Sequence, residues 1–249
     1  MKIILNGACG RMGAAVLKRL EEGGQGMTLA AGVDPRVDMS DSRMVKALAY
    51  YTGEADVLID FSHHSCTAEL MEYAVPRGLP CVIATTGQTP EEKEMLLRAS
   101  EKIALFLSAN MSIGIAVLAS FARSAAALLP DADIEIVEKH HNQKLDAPSG
   151  TALLLANAIK ESRPEAEFVF GRQGQRKREK QEIGIHALRL GNVIGEHEIL
   201  ISTCEESITL QHTAYSRSLF ADGAIAAARF LAGKPAGIYN MDSIIGKKA

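Results

Sequence analysis

Short apolar runs recur along the first half of the chain and alternate with amphipathic segments. The segment that begins at Thr89 carries a helix-start signal. Thr89 suits the N-cap, Pro90 the first helical position, and Glu92, three residues after Thr89, completes a capping box. Strands that alternate with helices indicate a Rossmann-like, doubly wound parallel sheet, an α/β fold. The predicted strands are 3–5, 28–33, 56–61, 80–84 and 103–107, and the predicted helices are 14–20, 67–75 and the segment that Thr89 opens.

The pattern changes after a long, mostly apolar helix, predicted at 113–129. Residues 133–137 alternate as a strand does, 152–159 form a predicted helix, and strands 182–189, 193–202 and 207–213 follow without helices between them. This order predicts an α+β region with an antiparallel or mixed sheet. A last helix, 221–231, is apolar enough to pack on the first sheet. We therefore expect a discontinuous first domain, 1–112 and 219–249, and a second domain, 113–218.

A glycine-rich turn joins the first predicted strand to its helix, in the order Gly7-Ala-Cys-Gly10-Arg-Met-Gly13. Gly23, Gly24 and Gly26 form the next turn. In a β-α-β unit such glycines allow a tight turn and close approach of the backbone to a pyrophosphate. Asp34 ends the second strand about 20 residues later, where an acid binds the ribose. The segment predicts a dinucleotide site, with an ordinary turn as the alternative.

Polar residues follow three further strands of the predicted parallel sheet. They are Phe61-Ser62, Ala84-Thr-Thr86 and Ser108-Ala-Asn-Met111. Ligands bind beyond the carboxyl ends of such strands. We expect these segments to line one crevice with residues 7–13, although 85–87 also suits a plain turn.

The segment 138–151 offers the richest chemistry, and we predict it to be a strand-to-helix loop. His140, His141 and Lys144 can each carry a proton. The first N–H groups of the helix that Pro148 opens form an anion site. Together they suit a small substrate with carboxylates. A surface His pair and an Asp146 that only caps the helix are the alternatives. Adjacent His residues lack the spacing of a helical metal pair, so we expect no metal site.

Composition narrows the function classes. The 249 residues are 47% hydrophobic and 23% charged, as in an ordinary soluble protein. A net charge of −3, no Trp and 5% aromatic residues argue against nucleic-acid binding. We see neither a signal region nor a membrane run, and four scattered cysteines favour a reducing, cytoplasmic location.

The charged segment 172–182 is interpreted as a solvated mobile loop, or else as a loop that closes over anionic ligands.

With these motifs in view, the chain closely resembles the dihydrodipicolinate reductase family, also known as 4-hydroxy-tetrahydrodipicolinate reductases. The resemblance covers nearly the whole chain, and its most specific motif is His-His-x-x-Lys-x-Asp-Ala-Pro-Ser-Gly-Thr at 140–151. The other matching segments are 7–13, 84–87, 108–111, 191–197 and 212–223.

The resemblance implies a reaction in lysine and diaminopimelate biosynthesis. NADH or NADPH reduces 4-hydroxy-tetrahydrodipicolinate, a small dicarboxylate, with loss of water. His140 and Lys144 would transfer protons, and His141, Lys144, Gly150 and Thr151 would contact substrate. Family members are commonly homotetramers joined through the sheet of the second, substrate-binding and oligomerisation domain. The implied cofactor contacts are Gly7, Ala8, Cys9, Gly10, Arg11, Met12, Asp34, Ala84, Thr85, Thr86, Ser108, Ala109, Asn110 and Met111.

Two departures from the family pattern qualify these expectations. Pro35 follows the acid where many members have a basic residue, with Arg36 one position later. His63-His64 replaces a usual proline region, and a surface pair is the default interpretation. The alternatives to this family are an aspartate or diaminopimelate dehydrogenase and a non-enzymatic dinucleotide-sensing regulator.

Overall fold

A computed structural model describes residues 1–23, 26–38 and 40–246. It divides into two compact units, residues 1–112 with the chain from 217 onward, and residues 113–216. No helix in the described residues has the length and apolarity of a membrane span. In chain order the elements are β1 (Lys2–Asn6), α1 (Arg11–Glu21), β2 (Thr28–Val33), β3 (Met44–Val45), β4 (Val57–Asp60), α2 (Thr67–Ala74), β5 (Cys81–Ile83), α3 (Pro90–Ser100), β6 (Ala104–Leu107), α4 (Ile113–Leu128), β7 (Asp133–His140), α5 (Gly150–Lys160), β8 (Glu167–Phe170), β9 (Glu182–Arg189), β10 (Glu196–Ser202), β11 (Ser207–Thr213), α6 (Ser218–Leu231), β12 (Gly237–Tyr239) and α7 (Met241–Ile244).

The first unit is built on a seven-stranded sheet in the order β12-β6-β5-β4-β1-β2-β3, with parallel neighbours. Leu105 of β6 packs in one apolar cluster with Leu70 of α2 and Leu96 of α3. The next residue, Phe106, contacts Phe230 of α6, with ring centroids 6.3 Å apart. Because successive strand residues point to opposite faces, helices cover both faces of the sheet. The predicted doubly wound fold is confirmed.

The second unit carries a five-stranded sheet in the order β11-β10-β7-β9-β8. Strand β10 is antiparallel to both neighbours, whereas β9 is parallel to β7 and β8. Ile134 and Ile136 of β7 join one apolar cluster with Leu118 of α4 and Leu155 of α5. The predicted mixed sheet is confirmed, and its core lies between one sheet face and these two helices.

Strand β7 is longer than the sequence predicts, and this correction decides where the site lies. Residues 138–140 were expected in a loop, because the apolar alternation stops at Val137. They belong to the strand, since Glu138 pairs with His197 of β10 and His140 with Arg189 of β9. Backbone pairing on both sides extends the strand past its last apolar residue.

Smaller differences concern short or terminal segments. The second unit ends at Ser216 rather than 218, because Arg217 is the N-cap of α6. Strand β10 begins at Glu196, three residues later than predicted. Four short elements, β3, β8, β12 and α7, were not predicted. Gly24 of the predicted second glycine turn and residues 247–249 lie outside the described residues.

Candidate functional site

Strand β7 places two ionisable side chains, Glu138 and His140, on the buried face of the second unit. They stand two residues apart, so the strand alternation puts both on the same side. Glu138 is 0% exposed and His140 is 8% exposed. His140 Nδ1 is hydrogen-bonded to Glu138 Oε2. Since an ionised carboxylate only accepts, the imidazole is the donor.

Glu138 also accepts from Arg189 and from the backbone of Ser149. Arg189 donates from Nη1 to Oε2 at 3.0 Å and from Nη2 to Oε1 at 2.8 Å. Ser149 N donates to Oε1 at 3.1 Å. Burial on its own raises the pKa of Glu138, but hydrogen bonds from His140, Arg189 and Ser149 outweigh it and hold the pKa at about 2. Glu138 is therefore ionised at neutral pH.

His197 of β10 adds a neutral imidazole to this cluster. Its ring lies edge-on to His140, with centroids 5.2 Å apart, and its Nε2 is 3.3 Å from Ser149 Oγ. Burial lowers the pKa of His197 to about 3, and the neighbouring His140 acts in the same direction. His197 thus stays uncharged at neutral pH beside His140.

The turn after β7 holds the predicted cation. Lys144 N donates to the His141 carbonyl at 3.2 Å. Lys144 Nζ lies 2.7 Å from Asp146 Oδ1. The hydrogen bond from Lys144 lowers the pKa of Asp146, and the Gly150 N–H adds to this effect. Lys144 and the start of α5, both predicted to hold a substrate carboxylate, thus contact the chain's own Asp146.

Helix α5 begins at Gly150, and Thr151 follows in its first turn. Ser149 is the N-cap, because its Oγ accepts from Ala152 N at 3.2 Å. The alternative that Asp146 caps this helix is therefore wrong. Its carboxylate pairs with Lys144 and also accepts the Gly150 N–H, but Ser149 occupies the N-cap position. The structure thus gathers Glu138, His140, Ser149, Arg189 and His197 around one end of β7, with His141, Lys144, Gly150 and Thr151 on the segment that follows.

The glycine turn of the first unit packs tightly against neighbouring backbone. Gly7 has φ +81°, and a Cβ there would lie 2.6 Å from the Phe61 carbonyl oxygen. A Cβ on Gly13 would lie 2.2 Å from the Gly7 carbonyl oxygen. Both contacts exclude larger residues. The turn therefore brings bare backbone to the carboxyl end of β1, ahead of the N-terminus of α1, which begins at Arg11.

Asp34, at the end of β2, is buried and held by two groups. Cys9 N donates to its Oδ2 at 3.2 Å. Arg36 donates from Nε to Oδ1 and from Nη2 to Oδ2, both at 2.9 Å. The Arg36 hydrogen bond lowers the pKa of Asp34, against burial, so the acid is ionised. Asp34 and Arg36 line a cavity together with Gly7 and Gly10 of the turn. Ser62 and two more basic side chains, His63 and Lys46, complete this part of the lining.

A second cavity brings together the later predicted segments, lined by Thr85, Thr86, Ser108 and Ala109 among others. The backbone of 108–112 is shaped by Asn110, whose Oδ1 accepts from Ser112 N at 2.8 Å. Met111 is buried. Ala84 N donates to the Asp60 carbonyl at 3.0 Å.

Asp60, at the end of β4, is a residue that the sequence interpretation missed. Its carboxylate accepts from Asn6 Nδ2 at 2.9 Å, Ser62 Oγ at 2.6 Å and Thr85 Oγ1 at 2.6 Å. Burial raises its pKa, against these hydrogen bonds. Asp60 therefore ties the ends of β1, β4 and β5 together between the two cavities. Its place after an apolar strand was the available signal.

The His63-His64 pair and the charged segment 172–182 were left without a function by the sequence. Side chains in each of them bind partners within the same unit. His64 Nδ1 lies 2.9 Å from Glu92 Oε2, in the capping box of α3. In the charged segment, Arg172 and Arg176 pair with Glu182 of β9. Among the described residues, no three His, Cys, Asp or Glu side chains gather as a metal site requires.

Comparison with known sequences is decisive at this point. Residues 1–111 match the domain family described as "Dihydrodipicolinate reductase, N-terminus". Residues 114–245 match the domain family described as "Dihydrodipicolinate reductase, C-terminus". This chain belongs to the dihydrodipicolinate reductase family. A 4-hydroxy-tetrahydrodipicolinate reductase of Caldanaerobacter subterraneus subsp. tengcongensis is 45% identical over 249 residues, which is 99% of each chain. One of Clostridium tetani is 43% identical over 98% of this chain and 97% of its own.

Solved structures agree with this membership. A dipicolinate-bound dihydrodipicolinate reductase from Paenisporosarcina sp. TG-14 superposes with a TM-score of 0.81 at 27% identity, over 96% of this chain and 97% of its own. An aspartate dehydrogenase of Thermotoga maritima superposes with a TM-score of 0.53 at 11% identity. The superposition covers 94% of this chain and 97% of the dehydrogenase. That second likeness shows a shared fold only. The expected reductase family is confirmed.

Proposed function

We propose that the Glu138–His140 pair, with Lys144 and the start of α5, forms the substrate site for reduction of 4-hydroxy-tetrahydrodipicolinate by NAD(P)H. The protein is an NAD(P)H-dependent oxidoreductase of lysine and diaminopimelate biosynthesis, as its family membership shows. The observation that carries the assignment of residues is the buried His140, held by an ionised carboxylate in the same segment as Lys144.

The first unit suits the dinucleotide. Gly7 and Gly13 allow the tight turn, because a Cβ at either position would clash with neighbouring backbone. Such a turn would let its backbone come close to a pyrophosphate. Residues 7–12 and Asp34 would hold the pyrophosphate and ribose half, and 84–86 with 108–111 would contact the remainder. The bound cofactor supplies the hydride.

The second unit suits the substrate. Lys144 and the N–H groups of Gly150 and Thr151 would bind a substrate carboxylate, and His141 would add a hydrogen bond. The Paenisporosarcina relative binds dipicolinate, itself a planar dicarboxylate. Lys144 Nζ lies 2.7 Å from the carboxylate of the chain's own Asp146. This ion pair supports the proposal that Lys144 binds a carboxylate of the substrate.

His140 and Lys144 are the residues proposed to transfer protons. Hydride addition to the conjugated ring imine develops negative charge, which a proton donor or a cation stabilises. The Nδ1 of His140 is occupied by Glu138, so its Nε2 is the atom that would exchange a proton with substrate. Lys144 is the second candidate donor, and the variants His140→Ala and Lys144→Ala test the two assignments.

The function is tested by adding freshly made 4-hydroxy-tetrahydrodipicolinate to the purified protein and following NADH or NADPH absorbance. We expect oxidation of the cofactor that depends on substrate. The same protein is offered aspartate and diaminopimelate with NAD⁺ or NADP⁺, and ammonia is measured. Ammonia release without reduction of the hydroxy acid would replace the proposal with an amino-acid dehydrogenase.

Cofactor selection gives a first prediction, at Asp34 and Arg36. An acid at the end of β2 accepts from a ribose 2′-OH and repels a 2′-phosphate, so we expect NADH to be used at least as well as NADPH. Arg36 neutralises Asp34, so Arg36→Ala should lower kcat/KM for NADPH about tenfold more than for NADH, about 1.4 kcal/mol.

The matched control is Arg43→Ala. Arg43 binds Asp41 through the same three groups, its N, Nε and Nη2, but does not line the Asp34 cavity. It should leave the ratio of the two kcat/KM values unchanged. A wild-type kcat/KM for NADPH more than tenfold above that for NADH, about 1.4 kcal/mol, would reject the role of Asp34.

Substrate binding gives a second prediction, at Asp146. A substrate carboxylate must displace this side chain from Lys144, and exposed ion pairs contribute about 0.2–1 kcal/mol. Asp146→Asn should therefore bind pyridine-2,6-dicarboxylate about two- to fivefold more tightly, measured by titration calorimetry. Asp131→Asn, which removes a carboxylate paired with Lys180, is the control and should bind as the wild type does. Weaker binding by Asp146→Asn would instead make Asp146 an anchor that Lys144 needs.

Assembly and location complete the proposal. One face of the five-stranded sheet packs on α4 and α5, and the alternate positions, including Val137 and Lys139, point away from that core. We place a homotetramer contact on this outer face. Sedimentation should give four times the 26.7 kDa chain mass, and a monomer would reject it. Four free thiols suit a reducing cytoplasm.

A further inference from the structure

We propose that Glu138 is a positioning residue that fixes the tautomer of His140 and sets it in register with the first turn of α5. This inference rests on the proposed function of His140. Glu138 is not among the residues that the sequence motif indicates as substrate or proton-transfer groups. Its role would be exerted through His140 and Ser149, without contact to the substrate.

The hydrogen bonds of Glu138 leave it no freedom. Oε1 accepts from Ser149 N and Arg189 Nη2, and Oε2 accepts from His140 Nδ1 and Arg189 Nη1. Four donors thus converge on two oxygens of a fully buried side chain. Such a carboxylate is ionised and can only accept, so His140 must carry hydrogen on Nδ1. The exchangeable site of the imidazole is then Nε2.

Gly195 lies close to His140 Nε2 and carries no side chain. A Cβ on Gly195 would lie 3.1 Å from His140 Nε2, so any other residue there would crowd this atom. The neutral His197 ring stands edge-on to His140 on one side. Glu138 therefore determines which nitrogen carries the fixed hydrogen and also orients the other nitrogen, Nε2, toward Gly195.

The same carboxylate reaches the anion-binding helix. Ser149, which donates to Glu138 Oε1, is the N-cap of α5, and the next two residues supply the N–H groups assigned to the substrate carboxylate. Arg189 reinforces this link, because its Nη2 also donates to the Asp146 carbonyl at 2.6 Å. Glu138 thus connects the proton-transfer imidazole to the carboxylate-binding turn at a fixed spacing.

A purely structural role is the competing explanation. Glu138 could serve only as the counter-ion that keeps Arg189 in the fold. Such a role predicts lost stability with an unchanged imidazole, whereas positioning predicts a changed imidazole and a fall in kcat. The two explanations therefore separate when stability, tautomer and kinetics are measured on the same variants.

The experiment compares Glu138→Gln, Glu138→Asp and the control Glu135→Gln in the full chain. Glu135 stands on the same strand and also binds one His, His186, but on the opposite face, where its arginine partners are Arg172 and Arg178. Each variant is assayed for kcat and KM, for pyridine-2,6-dicarboxylate affinity, for Tm and for the ¹⁵N shifts of the His140 ring.

We expect Glu138→Gln to lower kcat about a hundredfold, the lower end of the general-acid contribution, with a smaller change in KM. The His140 shifts should move from an Nδ1–H pattern to a tautomer mixture. Glu138→Asp keeps the charge on a shorter side chain and should recover part of kcat. Glu135→Gln should keep the wild-type kcat and the wild-type His140 shifts.

The proposal is overturned if Glu138→Gln keeps a near-normal kcat, or if only its Tm falls while the His140 shifts stay at the wild-type values. If Glu138→Gln does not fold, Glu138→Asp decides the question, and a lowered kcat with wild-type His140 shifts in that variant overturns the proposal. A wild type that does not reduce 4-hydroxy-tetrahydrodipicolinate would defeat the proposed function instead. The ¹⁵N shifts would still show whether Glu138 sets the tautomer.

Discussion

Lys144→Ala should lose both substrate affinity and turnover. If Lys144 pairs with a substrate carboxylate, truncating one partner of a desolvated charge pair costs about 2–5 kcal/mol, most of it in KM. If it also supports the charge that develops on the ring, kcat falls as well. Pyridine-2,6-dicarboxylate should compete with substrate in the wild type and bind poorly to the variant. NADH affinity should be unchanged, because Lys144 belongs to the second unit and the dinucleotide turn to the first.

The matched control for this result is Lys180→Ala. Lys180 is another cation of the second unit, and like Lys144 it pairs with an aspartate, Asp131. Its removal changes the charge of the unit equally and should leave both kinetic constants near the wild type. A Lys144→Ala enzyme with near-normal kcat/KM, or with its loss confined to NADH binding, would remove Lys144 from the substrate site.

His140→Ala should lower kcat by about 10²–10⁴-fold, the range for removal of a positioned general acid. The change in KM should be smaller, because the proton is needed in the transition state more than in the bound complex. Stopped-flow measurement of NADH oxidation separates this chemical step from substrate binding. NADH affinity, measured by fluorescence titration, should stay at the wild-type value.

His186→Ala is the matched control for His140→Ala. His186 Nε2 pairs with Glu135 Oε2 at 2.7 Å, so this variant also leaves a glutamate of β7 without its imidazole. It should retain the wild-type kcat. Equal losses in the two variants would show that a general weakening of the sheet, rather than proton transfer, lowers the rate. A wild-type kcat in His140→Ala would leave Lys144 as the proton donor.

The parallel sheet could be predicted because its strands are apolar and are punctuated by strong turn and cap signals. Thr89 and Pro90 form the predicted start of α3, and Glu92 completes the capping box. Strand β12 escaped prediction because it is only three residues long and is supported by pairing with β6. Such an edge strand owes its conformation to a partner far away in the chain, which local pattern does not contain.

The site was predictable only where its residues are close in sequence. His140, Lys144 and Gly150 occur in one segment, and their chemistry is evident without a fold. Glu138 could have been predicted beside His140, because the alternation of Ile134 and Ile136 continues through Glu138 to His140. Arg189 could not have been predicted there, because it lies 51 positions from Glu138 in the sequence and contacts it through the pairing of β7 with β9. Sequence alone does not fix that register.

The carboxylate of Asp60 has an evolutionary consequence. Asn6, Ser62 and Thr85 all donate to it, so a change at any one of these positions alone would leave a buried carboxyl oxygen short of a donor. Among relatives, substitutions at 6, 60, 62 and 85 should therefore be inherited together. A lineage that replaced Asp60 with an apolar residue would be released from this covariation, and the two cavities could then diverge independently.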